Sequence, residues 1–353
     1  MGPQPFKGLH QVGENSMRVL MVTCEWPTPE RPHLVPFIVR QVEFLRRAGV
    51  DVDVLSFRGA KNPFNYLRAW FLVRQRLRRR SYDIVHAQWG QSAPTTLPTR
   101  LPLVVTFRGG EGEGIVGDDG RYTFLGYVLR YVSALVARRA DELVVVSNHM
   151  KQYLPPRRVH VVPSGLDFSR LPLMSQEEAR QKLGLPLEKR LVLFVGNPAE
   201  ARKRHPLACD VVGRLDVRLN ADLVTAWEVS HDLIAVYMNA CDALLFTSMY
   251  EGSPNVIKEA LACNLPIVSV DVGDVRERLA GVAGCAVCLD DPERLCSALT
   301  MVLEQRNRID GRVAVQGFAE EKLAARMVEI YDLAIRGREC AGRDVGGRDT
   351  SSV

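Results

Sequence analysis

Glu251-Gly252-Ser253-Pro254-Asn255-Val256-Ile257-Lys258-Glu259 sets two carboxylates eight positions apart around a short acid–Gly–Ser–Pro turn. The run just before it, Ala243-Leu244-Leu245-Phe246-Thr247-Ser248, is short and apolar and reads as a buried parallel strand. A helix start follows. Ser253 suits the N-cap, and Pro254 suits the first helical position, where a missing N–H costs nothing. Free backbone N–H groups at a helix start just beyond a strand make a ready anion site. Glu259 lies about one and a half turns into the helix. Helical side chains lean toward the N-terminus, so Glu259 is expected to reach back to the mouth where Glu251 sits. An anion seat flanked by two hydroxyl-binding carboxylates suits a nucleotide sugar. Spacing alone equally allows an ordinary capped helix with a solvated glutamate.

Working outward, short apolar strands alternate with helical stretches from Arg18 on. Strands are expected at Val19–Thr23, Val52–Phe57, Ile84–Ala87, Leu103–Phe107, Leu143–Ser147 and Val159–Pro163. A second series begins at Leu191–Val195 and continues with Leu223–Ala226, Ala243–Thr247, Ile267–Val270 and Ala286–Leu289. Such alternation means parallel sheets covered on both faces. Two series split by the Pro- and charge-rich stretch 169–190 give two doubly wound, Rossmann-like α/β domains facing across a cleft. The boundaries read as a disordered tail (1–16), a first domain (17–168), a linker (169–190), a second domain (191–337) whose last helix can cross back to the first, and a loose tail (338–353). The Gly-, Pro- and acid-rich segments follow strands, at the edge where open α/β sheets bind ligands.

The 353 residues are enough for two cores, and a net charge of +5 permits phosphate binding without indicating nucleic acid. No apolar run approaches the roughly 20 residues that span a bilayer, and no leader-like segment precedes the first strand, so a cytoplasmic protein is expected. Eight scattered Cys, several in apolar contexts (Cys24, Cys209, Cys263), fit reduced thiols better than a disulfide framework.

Gly196-Asn197-Pro198-Ala199-Glu200-Ala201-Arg202-Lys203-Arg204 follows the first strand of the second domain. Three consecutive cations at a strand-to-helix junction either clamp a diphosphate or form a solvated basic turn.

At this point the chain resembles the retaining nucleotide-sugar glycosyltransferases of family 4, which adopt the GT-B fold. The resemblance covers about Met17 to Arg336. It rests on Glu251-x7-Glu259 running into Ala260-Leu261-Ala262-Cys263-Asn264-Leu265-Pro266-Ile267-Val268, on the stretch from Ser230-His231-Asp232 to Cys241-Asp242, and on Val162-Pro163-Ser164-Gly165 and Thr106-Phe107-Arg108-Gly109. Ser253-Pro254-Asn255-Val256 and Asp271-Val272-Gly273-Asp274-Val275 resemble the bacterial branch that builds cell-surface polysaccharides.

By that resemblance, Glu251 holds the donor sugar's hydroxyls and Glu259 the ribose. Lys203 and Arg202 neutralise the departing diphosphate, with the backbone of Gly252, Ser253, Pro254, Asn255 and Val256. Gly196, Asn197 and Arg204 flank the phosphates, and Trp227 to Ser230, including Val229, line the base. The resemblance also implies retention of configuration, no metal, and no cofactor beyond the nucleotide diphosphate sugar as co-substrate. The acceptor it implies is a saccharide or a lipid-linked saccharide.

Three positions depart from the family pattern. Asn197 stands where many relatives carry Arg. Arg108 replaces a frequent His, and either contacts phosphate or donor sugar or is a loop cation. Leu34-Val35 occupy a loop that usually has adjacent small residues. Gly109-Gly110-Glu111-Gly112-Glu113-Gly114 is either a mobile lid or a plain loop. The rival readings are a nucleotide-sugar epimerase on this fold and a non-catalytic nucleotide-sugar-binding subunit.

Other signals are discounted. Asp51-Val52-Asp53 alternates faces along a strand and does not read as a metal site. His86, His149 and His160 lack zinc-type spacing. The helix Phe64–Arg80 mixes Phe64, Leu67 and Phe71 with six arginines; it either packs one face and solvates the other, or rests peripherally on anionic lipid at the inner face of the membrane.

Overall fold

Short apolar runs can satisfy their backbone groups only by pairing sideways, and burial on both faces favours parallel pairing. The computed structural model describes residues 16–31, 34–59, 62–109 and 123–346. Within them the expected strands form two parallel sheets. The first holds β1 (Arg18–Thr23), β2 (Asp51–Ser56), β3 (Ile84–Gln88), β4 (Leu103–Phe107), β5 (Glu142–Val145) and β6 (Val159–Val161), in the order β2-β1-β3-β4-β5-β6. The second holds β7 (Arg190–Val195), β8 (Ala221–Ala226), β9 (Ala243–Phe246), β10 (Ile267–Val270) and β11 (Ala286–Cys288), in the order β11-β10-β9-β7-β8. Chain order reverses between β1 and β3 in one sheet and between β7 and β9 in the other. Such reversals open a crevice at the carboxyl ends of the strands.

Each sheet is covered on both faces. Along β1, Val19 and Met21 pack with helices α1 (Pro36–Arg47) and α11 (Glu320–Gly346), whereas Leu20 and Val22 pack with α2 (Pro63–Arg79) and α3 (Phe124–Arg139). This is the two-residue alternation of a strand. The second sheet is covered by α4 (Gln176–Leu183), α5 (His205–Gly213), α6 (His231–Ala240), α7 (Asn255–Ala262), α8 (Val275–Leu279), α9 (Pro292–Gln305) and α10 (Gly311–Val315).

The last helix crosses back: Ala324, Met327, Ile330 and Tyr331 are buried in the core of the first domain. At the crossing, Leu166 N donates to Phe318 O (2.8 Å) and Glu320 N to Leu166 O (3.1 Å), so the two connecting segments pair side by side.

Two boundaries differ from the sequence reading. The stretch 169–190 is part of the second domain rather than a linker. It carries α4, whose Arg180 is buried against Asp242 (2.8 Å) and donates to the Ala240, Pro186, Leu187 and Lys189 carbonyls. The expected loose tail from 338 is helical to Gly346, since Arg338 is held by Asp141 (2.6 Å). The glycine- and acid-rich stretch beyond Gly109, read as either a lid or a plain loop, and the end segments 1–15 and 347–353 lie outside the described residues. Among the described residues no helix is long and apolar enough to cross a membrane.

The discounted signals have ordinary partners. Asp53 accepts from Arg76 (2.8 Å) and Tyr82, and Asp51 pairs with Arg80. His86 bridges Tyr331 (2.7 Å) and Thr106 (2.8 Å), and burial lowers its pKa to about 3. Cys209, placed by the sequence in an apolar context, is exposed; Cys24, Cys241 and Cys263 are buried and not in disulfides.

Candidate active site

The β9–α7 turn and the β7–α5 turn lie side by side at the reversal point of the second sheet. The Thr247 hydroxyl donates to Lys203 O (2.8 Å), and Met249 N donates to Arg202 O (2.9 Å), which fixes one turn on the other. Lys203 Nζ then donates to Glu251 Oε1 (2.6 Å), and Arg202 reaches the same oxygen. Burial lowers the Arg202 pKa, but the Glu251 and Glu200 carboxylates more than reverse this, leaving it above the usual value.

Lys203 and Glu251 line a cavity of about 450 Å³, together with Gly196, Gly252 to Val256 and, from the first domain, Phe37, Trp89, Arg108 and Ser164; Arg202 is not among the lining residues. Helix α7 opens this cavity without a side-chain cap. The N-cap is Pro254, not Ser253 as expected, because the Ser253 hydroxyl donates to Asp274 (2.8 Å) instead. The first-turn N–H groups of α7 and the buried, unpartnered Asn255 Oδ1 are therefore left for a ligand. Gly196 lies at φ +145°, with Lys203 packed where a Cβ would project (3.5 Å). That distance is ordinary van der Waals contact, so it is the positive φ, not crowding by the lysine, that favours glycine here.

A second cavity, of about 600 Å³, adjoins the first, the two sharing Val195 and Gly196 in their walls. Trp227, Glu228 and Val229 line it from the second domain, and Arg31 and Leu34 from the first. Beyond it, sharing Val229 and Ile234, lies a third, lined by Ser230, His231 and Arg40.

Not every expected residue joins the first cavity. Asn197 accepts from Ala199 N (2.9 Å) within its own turn. Arg204, in a left-handed conformation, turns away to the Thr247 carbonyl (2.7 Å) and Asp290 (2.6 Å). Glu259 does not reach back to Glu251. It is buried, 2.9 Å from His231 Nε2 and 3.8 Å from Arg40 Nη2 of the first domain, and Arg40 Nη1 lies 3.1 Å from His231 Nε2. Burial raises the Glu259 pKa, but the His231 hydrogen bond and the Arg40 and Lys258 charges leave it lowered overall.

Arg108 is a held cation rather than a loop one. Its guanidinium donates to Gln88 (2.8 Å), Gln41 (2.8 Å) and Ser164 (3.0 Å), over the Phe37 ring. Leu34 lines the second cavity, and Val35 caps α1 in the left-handed region (φ +45°), a strained place for a β-branched residue. The loop thus has a backbone suited to glycine and a side chain that is not.

Several contributing residues were not singled out from sequence. Lys258 is fully buried, donates to Ser164 O (2.9 Å) across the seam, and is lowered to about 8 by burial. Glu320, at the crossing, is raised to about 7 by burial. Arg40 and Gln41 lie on the mixed helix α1 and Gln88 ends β3, and nothing in their local sequence distinguishes them from ordinary polar residues.

A two-domain α/β protein with cations, a carboxylate and an uncapped helix end meeting in the interdomain cleft belongs to the class of GT-B group-transfer proteins. Residues 13–165 match the family model of the glycosyl transferase 4-like domain, and residues 186–305 match that of glycosyl transferases group 1. The chain is a glycosyltransferase of family 4. The D-inositol 3-phosphate glycosyltransferase of Geodermatophilus obscurus is 28% identical over 302 residues, covering 72% of this chain and 67% of that protein. TuaC of Bacillus subtilis, named for teichuronic acid biosynthesis, is 23% identical over 327 residues, covering 73% and 82%. Among solved structures, sucrose-phosphate synthase from Thermosynechococcus elongatus matches with a TM-score of 0.76 at 15% identity, covering 91% of this chain and 100% of that one. HepE of Anabaena in complex with UDP matches at 0.66 and 15%, covering 90% and 100%. At these identities the structures establish the fold.

Proposed function

We propose that this glycosyltransferase moves a sugar from a nucleoside diphosphate sugar to a saccharide or lipid-linked acceptor in cell-surface polysaccharide synthesis, with retention and without metal or cofactor. The observation that carries this reading is the shared contact of Lys203 and Arg202 with one oxygen of Glu251, beside the uncapped start of α7. An incoming diphosphate takes the two cations and the α7 N–H groups, and Glu251 is released to accept hydrogen bonds from the sugar hydroxyls. The base sits against Trp227 to Val229. As the sugar–phosphate bond breaks, charge develops on the diphosphate, where fixed donors stabilise it most. The acceptor hydroxyl attacks from the face the diphosphate leaves, and a phosphate oxygen takes its proton, so no protein nucleophile is required.

Glu259 acts mainly through His231, holding the Val229–Ser230 segment; direct ribose contact requires the Arg40 contact to part. Arg108 positions the first-domain wall. HepE has also been solved with UDP-glucose, which supports a nucleotide-sugar donor. The relatives named for inositol phosphate and for teichuronic acid differ in acceptor, so the acceptor class rests on the sequence resemblance.

The test is a thermal-shift screen of UDP-, GDP- and ADP-sugars, since a ligand that binds the native state raises its melting temperature. Transfer from the binding donor is then followed by NMR of the product's anomeric carbon, with and without chelator. Inversion, chelator sensitivity, or epimerised donor without transfer would each refute the corresponding part.

A further inference from the structure

The turn after β8, Trp227-Glu228-Val229, forms the second-domain wall of the second cavity. Trp227 is the aromatic residue in that wall and is 46% exposed, so its ring is open to stack on a flat base. Stacking does not distinguish bases, because every base has a π-face. Discrimination has to come from groups that meet the base edge. Three charged side chains line this cavity: Glu228 from the second domain, and Glu30 and Arg31 from the first. Glu30 is held as a carboxylate within its own loop, chiefly by a hydrogen bond from the Thr28 side chain. Burial raises the Glu25 carboxyl nearby, and the Arg31 charge offsets part of that rise without an ion pair. Glu228 makes no hydrogen bond or ion pair through its carboxylate among the described residues. Its backbone is left-handed (φ +57°), where glycine is the unstrained choice, so local stability does not account for a glutamate here.

An ionised carboxylate only accepts hydrogen bonds, and a guanidinium only donates them. Guanine presents N1–H and the N2 amino group as adjacent donors, which a carboxylate takes with both oxygens. On the neighbouring edge it presents O6 and N7 as adjacent acceptors, which an arginine takes with two N–H groups. Uracil sets its one N–H between two carbonyls, and adenine sets the N1 lone pair beside its amino group. Either base would leave a carboxylate oxygen facing a lone pair, an unmade bond that counts against it.

We propose that the second cavity selects guanine, Glu228 accepting from N1–H and the N2 amino group and Arg31 donating to O6 and N7, so that the donor is a guanosine diphosphate sugar. This rests on the donor reading proposed above and goes beyond it in naming the base and the two side chains that read it.

The test is calorimetric titration of the full chain with GDP, UDP, ADP and inosine diphosphate, which keeps N1–H, O6 and N7 but lacks the N2 amino group. GDP should bind at least about tenfold more tightly than UDP or ADP, with inosine diphosphate in between. Glu228→Gln and Glu228→Gly should each lose most of the preference for GDP over UDP. Glycine suits the left-handed backbone, and thermal unfolding checks that both variants stay folded. Lys203→Ala should weaken GDP, UDP and ADP alike and keep their order, because it acts on the phosphates. UDP or ADP binding as tightly as GDP, or a GDP preference retained by either folded Glu228 variant, would overturn the base assignment alone. If none of the four nucleoside diphosphates binds, the donor reading of the site falls, and this inference with it.

Discussion

A Cβ on Gly252 would lie 2.6 Å from the carbonyl oxygen of Arg108, so at this point the two domains meet backbone against backbone. Neither side can yield by rotating a side chain. Gly252→Ala should therefore wedge the seam beside the cavity, with an overpacking cost of about 1–3 kcal/mol. The expected outcome is a loss of kcat/KM of about tenfold or more in a variant that still melts cooperatively. Unchanged kinetics would mean that this close approach is not part of the working enzyme.

Lys203→Ala and Glu251→Gln should separate charge stabilisation from sugar binding. Removing one fixed donor to a developing charge typically costs about 10²–10³ in kcat. Lys203→Ala is expected to show that loss together with weaker nucleoside diphosphate binding by calorimetry. Glu251→Gln should lose transfer while binding the free nucleoside diphosphate at least as well, since the carboxylate no longer competes for Lys203 and Arg202.

Glu259 and Glu251 should differ in what they support. Glu259 is buried with Arg40 and His231, so Glu259→Ala leaves a buried guanidinium without its counter-charge, and a loss of about 3 kcal/mol or more is expected by denaturant unfolding. Glu251 sits at a partly open mouth, and Glu251→Ala should cost far less stability. Similar unfolding midpoints for the two variants would contradict the structural role assigned to Glu259 with His231 and Arg40.

Glu320 carries a pH dependence with a defined sign. Its folded pKa, about 7, lies above the ordinary 4.5, so between those values the native state holds more protons than the unfolded state. Stability through this group therefore falls as pH rises from 4.5 to 7 and stays reduced above that, by an order of magnitude of about 3 kcal/mol. Glu320→Gln should be more stable than wild type at pH 8, with the difference shrinking toward pH 5. Lys258, lowered to about 8, works in the other direction at higher pH: its penalty is relieved as pH rises from 8 toward 10.5. A pH-independent gain from Glu320→Gln would rule out ionisation as its cause.

The strands were legible because a strand buried on both faces is a continuous apolar run, and their alternation with helices fixed the two parallel sheets. The half of the candidate site around the start of α7 can be read locally, because Gly196, Lys203 and Glu251 to Val256 all lie within turns that follow strands. What escaped was decided by distant partners. Arg180 makes 169–190 part of a domain through Asp242, and Asp141 extends the last helix through Arg338. Ser253 forgoes its cap for Asp274, and Glu259 is claimed by an arginine of the other domain. Lys258 reads as an ordinary helical surface residue until Ser164 and the crossing helix close over it.

The most direct measurement is a crystal structure of the full chain with whichever nucleoside diphosphate gives the largest thermal shift. The expected result is diphosphate oxygens within hydrogen-bond distance of Lys203 Nζ and of the first N–H groups of α7, with the Lys203–Glu251 contact opened. A diphosphate bound elsewhere, or bound with that contact intact, would contradict the exchange on which the proposed chemistry rests.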